Sequence, residues 1–176
     1  MRKNSLRELT FAAMLGGAYA ALTMLLPIPQ YAGVQIRLAE ALTLLPFLIP
    51  VATPGLFVGC FIANILSPYG LLDVIAGSAA TLLACLWTGR MRSRWLAPLP
   101  PVVCNALIVG AELAFFEVGA KPAFWGAFAF NAFTVGLGEL LACCVFGSVL
   151  LSVLYRTAAC RERIDPRRLE QVRGFE

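Results

Sequence analysis

The chain alternates long uncharged runs of apolar residues with short clusters of arginine and lysine. The uncharged runs cover residues 9–36, 41–72, 74–89, 95–111, 122–138 and 140–155. Because about 20 apolar residues cross the ~30 Å hydrocarbon layer of a bilayer as a helix, nearly the whole chain is predicted to lie in a membrane. The pattern therefore predicts an all-α membrane protein.

The positions of the basic clusters determine the predicted number of membrane crossings. The apolar run after Arg37 is interrupted by Val51-Ala52-Thr53-Pro54-Gly55, where Thr53 can cap a helix and Pro54 suits its first turn. Dividing the run there places all three basic clusters on one side of the membrane, as the positive-inside rule favours. The prediction is a bundle of six transmembrane helices, at about 9–26, 37–50, 54–66, 71–88, 101–118 and 136–156, with both termini cytoplasmic.

The composition supports this division and excludes other classes of protein. Hydrophobic residues make up 60% of the chain and charged residues 14%, whereas a soluble domain carries about a quarter charged residues. Residues 1–156 are predicted to form one transmembrane domain in the plasma membrane, and residues 157–176 a basic cytoplasmic tail. The chain has six cysteines, no Cys-x-x-Cys spacing and no histidine, so neither a metal site nor a cofactor is predicted.

In this topology, polar side chains inside the apolar runs collect near one depth. We predict a substrate-binding site formed by Arg37, Glu40, Asn64, Asp73, Asn105, Glu112, Asn131 and Glu139. All of them except Asn105 fall in the half of the membrane opposite the basic clusters. Since a charge in hydrocarbon is costly unless it is paired or hydrated, the arrangement predicts a polar pocket open to the outside.

Four acidic residues and one arginine leave the predicted pocket short of positive charge. A cationic ligand, or one rich in N–H donors, would supply that charge, because a carboxylate accepts two parallel N–H bonds. The edge of a guanine ring presents such a pair of donors. Aromatic residues near the same depth can stack on a planar ring, namely Tyr31, Tyr69, Phe115, Phe124 and Trp125.

Most of these residues also have a structural interpretation. Asp73 can complement the positive end of its helix, and Arg37 can extend to the membrane interface and pair with Glu40. The asparagines can form hydrogen bonds between helices, and the tyrosines and tryptophans an interfacial belt. Glu112 and Glu139 lie deeper and have no cationic partner evident in the sequence.

The first predicted helix carries two rows of small residues with a spacing of four. The rows are Ala12, Gly16 and Ala20, and Ala13, Gly17 and Ala21. Such rows allow another helix to approach closely, either within the bundle or from a second membrane protein. The sequence contains no phosphate-binding loop and no obvious inverted repeat, which favours a binding subunit that depends on a separate motor.

Four segments form long, ordered motifs: IRLAEALTLLPF, PGLFVGCFIANILSPYGLLDVIAGSAATLLA, LAPLPPVVCNALIVGAEL and VGLGELL. Over about residues 10–155 the chain resembles the queuosine precursor transporter family QueT, whose members are substrate-binding S components of energy-coupling factor (ECF) transporters. The resemblance implies a six-helix S-component fold and a 7-deazaguanine substrate such as preQ1, preQ0 or queuine. It also implies a complex with an ECF transmembrane subunit and two ATPases, in which a small-residue row of the first helix contacts the transmembrane subunit.

The function expected from this resemblance is capture of a queuosine precursor outside the cell and its delivery to the cytoplasm, using ATP hydrolysed by the partner subunits. The alternative is an S component or a solitary transporter for a different vitamin-like micronutrient. A membrane enzyme that uses paired carboxylates as acid and base is a further hypothesis, but no nucleophile–base pair supports it, so the chain is not expected to be an enzyme. The remaining hypothesis is an assembly protein without a ligand.

Overall fold

The structure is a computed structural model and describes residues 2–25, 37–157 and 164. Its elements in chain order are α1 (Arg2–Leu25), a 3₁₀ helix (Leu38–Phe47), α2 (Ala52–Asn64), α3 (Leu71–Thr88), α4 (Leu99–Val118), α5 (Phe124–Leu141), a π-helical segment (Ala142–Gly147) and α6 (Ser148–Arg156). This part of the chain is all-helical, as predicted. Apart from Thr157 and Ile164, the predicted basic tail lies outside the described residues.

Four of the described helices are long and apolar enough to cross a membrane. They are Leu6–Leu25 within α1, then Leu71–Thr88, Leu99–Val118 and Phe124–Arg156. The 3₁₀ helix has 10 residues and α2 has 13, so each is shorter than a plain crossing requires. Large apolar side chains face outward along the long helices, among them Leu71 at 73% and Phe133 at 71% exposure. An outer surface of this kind suits contact with lipid.

Two predicted helices differ from the structure, one in its type and one in its start. The segment after Arg37 forms a 3₁₀ helix that contains Pro46, whose ring nitrogen has no hydrogen to donate within the helix. The last helix begins at Phe124 and not near residue 136, and continues for 33 residues through the π-helical segment to Arg156. The predicted range 136–156 has only the length of about 20 residues that crosses the hydrocarbon layer, whereas the 33 residues of this helix exceed that length.

Helices α1 and α2 pack backbone to backbone and run in the same direction. Gly55 lies against the Ala12 carbonyl, and Gly59 against the Gly16 carbonyl, so the two chains advance together. A Cβ on Gly16 would lie 2.6 Å from the Gly55 carbonyl oxygen, closer than side chains allow. The parallel arrangement of α1 and α2 is the one that the predicted division of the long apolar run requires.

Contacts between the other neighbouring helices also give their relative directions. Asn64 and Cys60 of α2 bond respectively to Asp73 and Gly77 of α3, which makes these helices antiparallel. Helices α4 and α5 are also antiparallel, as the next contacts show: Gly110 packs against Ala132, and Gly136 against Ala106. The 3₁₀ helix runs parallel to the last helix, with Glu40 beside Cys143 and Leu44 beside Gly147. Arg94, which follows α3, and Arg156, which ends α6, line one cleft, so α3 and the last helix finish at the same end of the bundle. Together these contacts show that the helical segments alternate in direction along the chain.

The close contact between α1 and α2 predicts opposite outcomes for two glycine substitutions. Gly59→Ala should lower the free energy of unfolding by about 1–3 kcal/mol, because its Cβ would lie within 3 Å of three Gly16 backbone atoms. Gly17→Ala is the matched control, since a Cβ there meets nothing within 4 Å, and it should leave stability unchanged or higher. Thermal unfolding in detergent compares the two variants. Equal melting temperatures would contradict the backbone contact.

Candidate functional site

A buried polar network begins at Arg37, immediately before the 3₁₀ helix. Arg37 is 5% exposed, and its Nη2 donates to Asn64 Oδ1 at 2.9 Å. Asn64 Nδ2 in turn donates to the main-chain oxygen of Asp73 at 3.0 Å. The side chains of Asn64 and Asp73 lie together over Gly77, where a Cβ would be 2.5 Å from Asn64 Nδ2 and 2.8 Å from Asp73 Oδ1. The network thus joins the 3₁₀ helix to α2 and α3.

Glu40 is the fully buried acid of the 3₁₀ helix, and it connects the network to α1. The Tyr19 hydroxyl, also fully buried, donates to Glu40 Oε1. The main-chain oxygen of Glu40 accepts from Thr43 Oγ1 at 2.6 Å and from Cys143 Sγ at 3.6 Å. The other carboxylate oxygen, Oε2, has no hydrogen-bond partner among the described residues.

Glu139 of α5 connects the same network to the last helix. It is 4% exposed, and its Oε2 accepts from Cys143 Sγ at 3.9 Å, while Asn105 of α4 lies against it. Glu40 and Arg37 are both close enough to interact with Glu139 electrostatically. Two acids, one arginine and one amide therefore share a buried space between the 3₁₀ helix, α4 and α5.

Glu112 of α4 completes the acidic set. It is buried and interacts electrostatically with Asp73 and Arg37. Neither of its carboxylate oxygens has a hydrogen-bond partner in the described chain. Tyr69 lies beside these acids, within electrostatic range of Asp73 and Glu112, and its ring packs at 5.1 Å from that of Phe116.

Unpaired buried polar atoms accumulate in this network. Within the described residues they include Arg37 Nε, Glu40 Oε2, Asn105 Nδ2 and both oxygens of Glu112. Each such atom costs about 1–3 kcal/mol when it stays unsatisfied, and native proteins keep only a few of them. These atoms are candidates for hydrogen bonds to a small polar molecule that supplies both donors and acceptors.

The network is closed to solvent, whereas the sequence predicts a pocket open to the outside. Each predicted site residue is at most 8% exposed, and Glu40, Asn64 and Asn131 are fully buried. The prediction of an open pocket is therefore wrong for this conformation. The reason is that the side chains fold inward onto one another between the helices. Entry of a ligand would require at least one of the surrounding elements to move.

One predicted site residue forms its described hydrogen bond with a residue outside the predicted set. Asn131 of α5 donates from Nδ2 to Glu117 Oε2 at 2.9 Å, near the end of α4. This contact matches the interpretation of the asparagine as a bond between helices. Two of the aromatic residues proposed for ring stacking are largely exposed, Phe115 at 50% and Trp125 at 73%. Tyr31 lies outside the described residues.

Comparison with known families identifies the chain. A family model described as QueT transporter matches residues 9–156. The chain belongs to the QueT transporter family. Membership indicates a membrane transporter of the queuosine-precursor type, and a transporter rather than an enzyme. Neither the curated proteins nor the solved structures gave a match.

The two small-residue rows of this QueT chain have different environments. Ala12, Gly16 and Ala20 are buried, and the first two pack against α2. Ala13, Gly17 and Ala21 are exposed. The interpretation as packing within the bundle therefore applies to the first row. The second row is the one that a second membrane protein could contact.

Some residues of the QueT network were not predicted from the sequence. Tyr19 supports Glu40, and Cys60 accepts from Thr81 Oγ1 at 3.2 Å beside Asn64. A usable signal exists for Tyr19, since a hydroxyl in the middle of an apolar helix requires a buried partner. No comparable signal exists for Cys60, because a cysteine in an apolar run is equally suited to packing.

Proposed function

We propose that the chain is the substrate-binding S component of an ECF-type importer for a queuosine precursor. It would capture a 7-deazaguanine, such as preQ1, preQ0 or queuine, outside the cell. ATP hydrolysis on two ATPase subunits, acting through an ECF transmembrane subunit, would drive release of the captured deazaguanine into the cytoplasm. The chain would need no cofactor of its own.

The main support for this proposal is the buried, acid-rich network with its unpaired polar atoms. Glu40, Asp73, Glu112 and Glu139 all interact electrostatically with one arginine, so the network is short of positive charge. A deazaguanine offers adjacent N1–H and N2–H₂ donors, the pair that a carboxylate accepts well. The aminomethyl cation of preQ1 would add the missing charge.

The geometry suggests a division of roles among the acids. Among the described residues, both oxygens of Glu112 are unpaired, and Glu139 has a long contact with Cys143 and lies against Asn105, so either acid can accept the guanine-like edge. Glu40 and Asp73 flank Arg37 and would meet a cationic arm where the ligand has one. Of the described aromatic residues proposed for stacking, Tyr69 is within electrostatic range of Asp73 and Glu112 and would stack on the ring.

The alternating helices support the six-span topology that this function needs. The proposed orientation places residues 1–156 in the plasma membrane, with the basic tail 157–176 and both termini in the cytoplasm. Arg94, which follows α3, and Arg156, which ends α6, line one cleft, so these two basic segments lie at the same end of the bundle. Positive residues gathered at one end mark the cytoplasmic side.

Direct titration tests the proposal. Full-length protein purified in detergent should bind preQ1 with a dissociation constant in the micromolar range or below, measured by calorimetry. Guanine and an unrelated vitamin such as riboflavin serve as comparison ligands. Binding of riboflavin but not of preQ1 would favour the alternative substrate class. Absence of binding to all of them would overturn the proposal.

A further inference from the structure

Tyr19 is a polar residue of α1 that lies wholly inside the bundle. It is fully buried, and its ring belongs to the main apolar core. It lies three residues after Gly16, so helical spacing places it close to the face of α1 that packs against α2. Thr23 Oγ1 donates to the main-chain oxygen of Tyr19 at 3.0 Å. These contacts fix the position of the tyrosine within the bundle.

The Tyr19 hydroxyl determines which oxygen of Glu40 remains available. It donates to Glu40 Oε1, and the main-chain oxygen of Glu40 accepts from Thr43 Oγ1 and Cys143 Sγ. Of the three Glu40 oxygens, Oε2 is the one without a hydrogen-bond partner in the part of the chain that the structure describes. Because the two oxygens of a carboxylate share one rigid plane, holding Oε1 also fixes where Oε2 lies.

The surroundings of Glu40 Oε2 favour a cation. Glu139 is close enough to Glu40 to interact with it electrostatically, and both acids are buried. Arg37 interacts with both of them, and its Nη2 is already bonded to Asn64. An ammonium group of a ligand would therefore find an unpaired acceptor beside two acids that share one arginine.

We propose that Tyr19 is a positioning residue for the recognition of a cationic ligand. Its hydroxyl stabilises the buried Glu40 carboxylate and presents Oε2 to the ammonium group, without contacting the ligand itself. The inference rests on the proposed function, because Glu40 acts here as part of the same substrate site.

Loss of the Tyr19 hydroxyl would leave both carboxylate oxygens of Glu40 buried and unpaired, which is a costly state. The carboxylate would escape it by rotating or by taking up a proton. Either change removes the negative charge from the place where the ammonium group binds. The site would then lose its preference for a cationic deazaguanine over a neutral one.

Titration of the full-length Tyr19→Phe variant in detergent, with two ligands of different charge, tests the inference. PreQ1 carries an aminomethyl cation, whereas preQ0 has an uncharged nitrile in its place. The variant keeps the ring but should bind preQ1 at least about tenfold more weakly, as expected for the loss of one hydrogen bond to a charged group. Its affinity for preQ0 should stay within about twofold of normal.

Tyr155→Phe is the matched control for the lost hydroxyl. Tyr155 of α6 is also buried and belongs to the same apolar core, but it is not part of the polar network. This variant should bind both ligands as the unmodified chain does. An equal loss of preQ1 and preQ0 binding in Tyr19→Phe would overturn the inference, since a tyrosine needed only for folding affects both ligands alike.

A double-mutant cycle with Glu40→Gln shows whether Tyr19 acts through Glu40. Each single variant should weaken preQ1 binding, and adding Tyr19→Phe to Glu40→Gln should weaken it by less than about twofold more, because the two residues share one interaction. Additive losses would overturn the inference. Normal binding of both ligands by Tyr19→Phe would overturn the inference alone, whereas failure of the unmodified chain to bind either ligand would overturn the proposed function as well.

Discussion

Replacing Glu139 by glutamine is expected to abolish most preQ1 binding, with an affinity lower by about thirtyfold to a thousandfold. Glutamine keeps the size of the side chain beside Asn105 but loses the negative charge and one acceptor. Removing one partner of a buried, charged hydrogen bond costs about 2–4 kcal/mol, and about 1.4 kcal/mol corresponds to tenfold in affinity. Calorimetric titration of preQ1 into the purified variant measures the loss.

Two comparisons separate this loss of binding from a loss of folding. Glu8→Gln removes the same charge from an exposed position of α1 and should bind preQ1 normally. Glu139 lies close to Glu40, so its neutral replacement relieves repulsion between acids and should not lower the melting temperature. Unchanged affinity would remove Glu139 from the site. A melting temperature several degrees lower would instead assign it a structural role.

The relative direction of α1 and α2 could be predicted because the sequence contains both arginine clusters and a helix break. The break near Pro54 and the arginine clusters required the chain to return between the first helix and α2, and the parallel contact of Gly16 with Gly59 agrees with this. The start of the last helix could not be predicted in the same way. Bilayer thickness bounds how much of a helix must be apolar, but it does not bound how far the helix continues beyond the membrane.

The membership of the polar network was more predictable than its contacts. Depth along each helix placed Arg37, Glu40 and Glu139 at related levels, and the structure brings them together. Depth does not specify rotation about the helix axis, so it could not predict that Asn131 would donate to Glu117, a residue outside the predicted set. It also gave no reason to expect that the acids would be closed off from solvent.

The sequence also could not distinguish the surroundings of the two small-residue rows. Both rows have the same spacing, and adjacent rows on a helix differ only by rotation of about 100°, which follows from 3.6 residues per turn. The partner of the buried row is the pair Gly55 and Gly59 of α2, which the sequence analysis did not single out as a contact. Only the assembled bundle shows that the row containing Gly17 faces outward.

Replacing Gly17 by leucine is expected to reduce uptake to the background of cells that lack the chain, while preQ1 binding to the purified protein stays within about twofold of normal. Gly17 is exposed and has nothing within 4 Å of its Cβ position, so the larger side chain fits the isolated bundle. A partner helix packed on the row of Ala13, Gly17 and Ala21 would be forced away from α1, because close helix contact in membranes depends on small residues. Uptake of labelled preQ1 and co-purification of the transmembrane subunit measure the effect.

Gly126→Leu is the matched control for the exposed glycine. Gly126 also has open space at its Cβ position, but it lies on α5. It should support normal uptake and normal co-purification. The substitution Gly16→Leu is unsuitable for this test, because its side chain would collide with the Gly55 backbone and disturb the fold. Normal uptake by the Gly17→Leu variant would show that the partner docks elsewhere on the bundle. Loss of uptake with the partner subunits still bound would show that the row acts in a later step than docking.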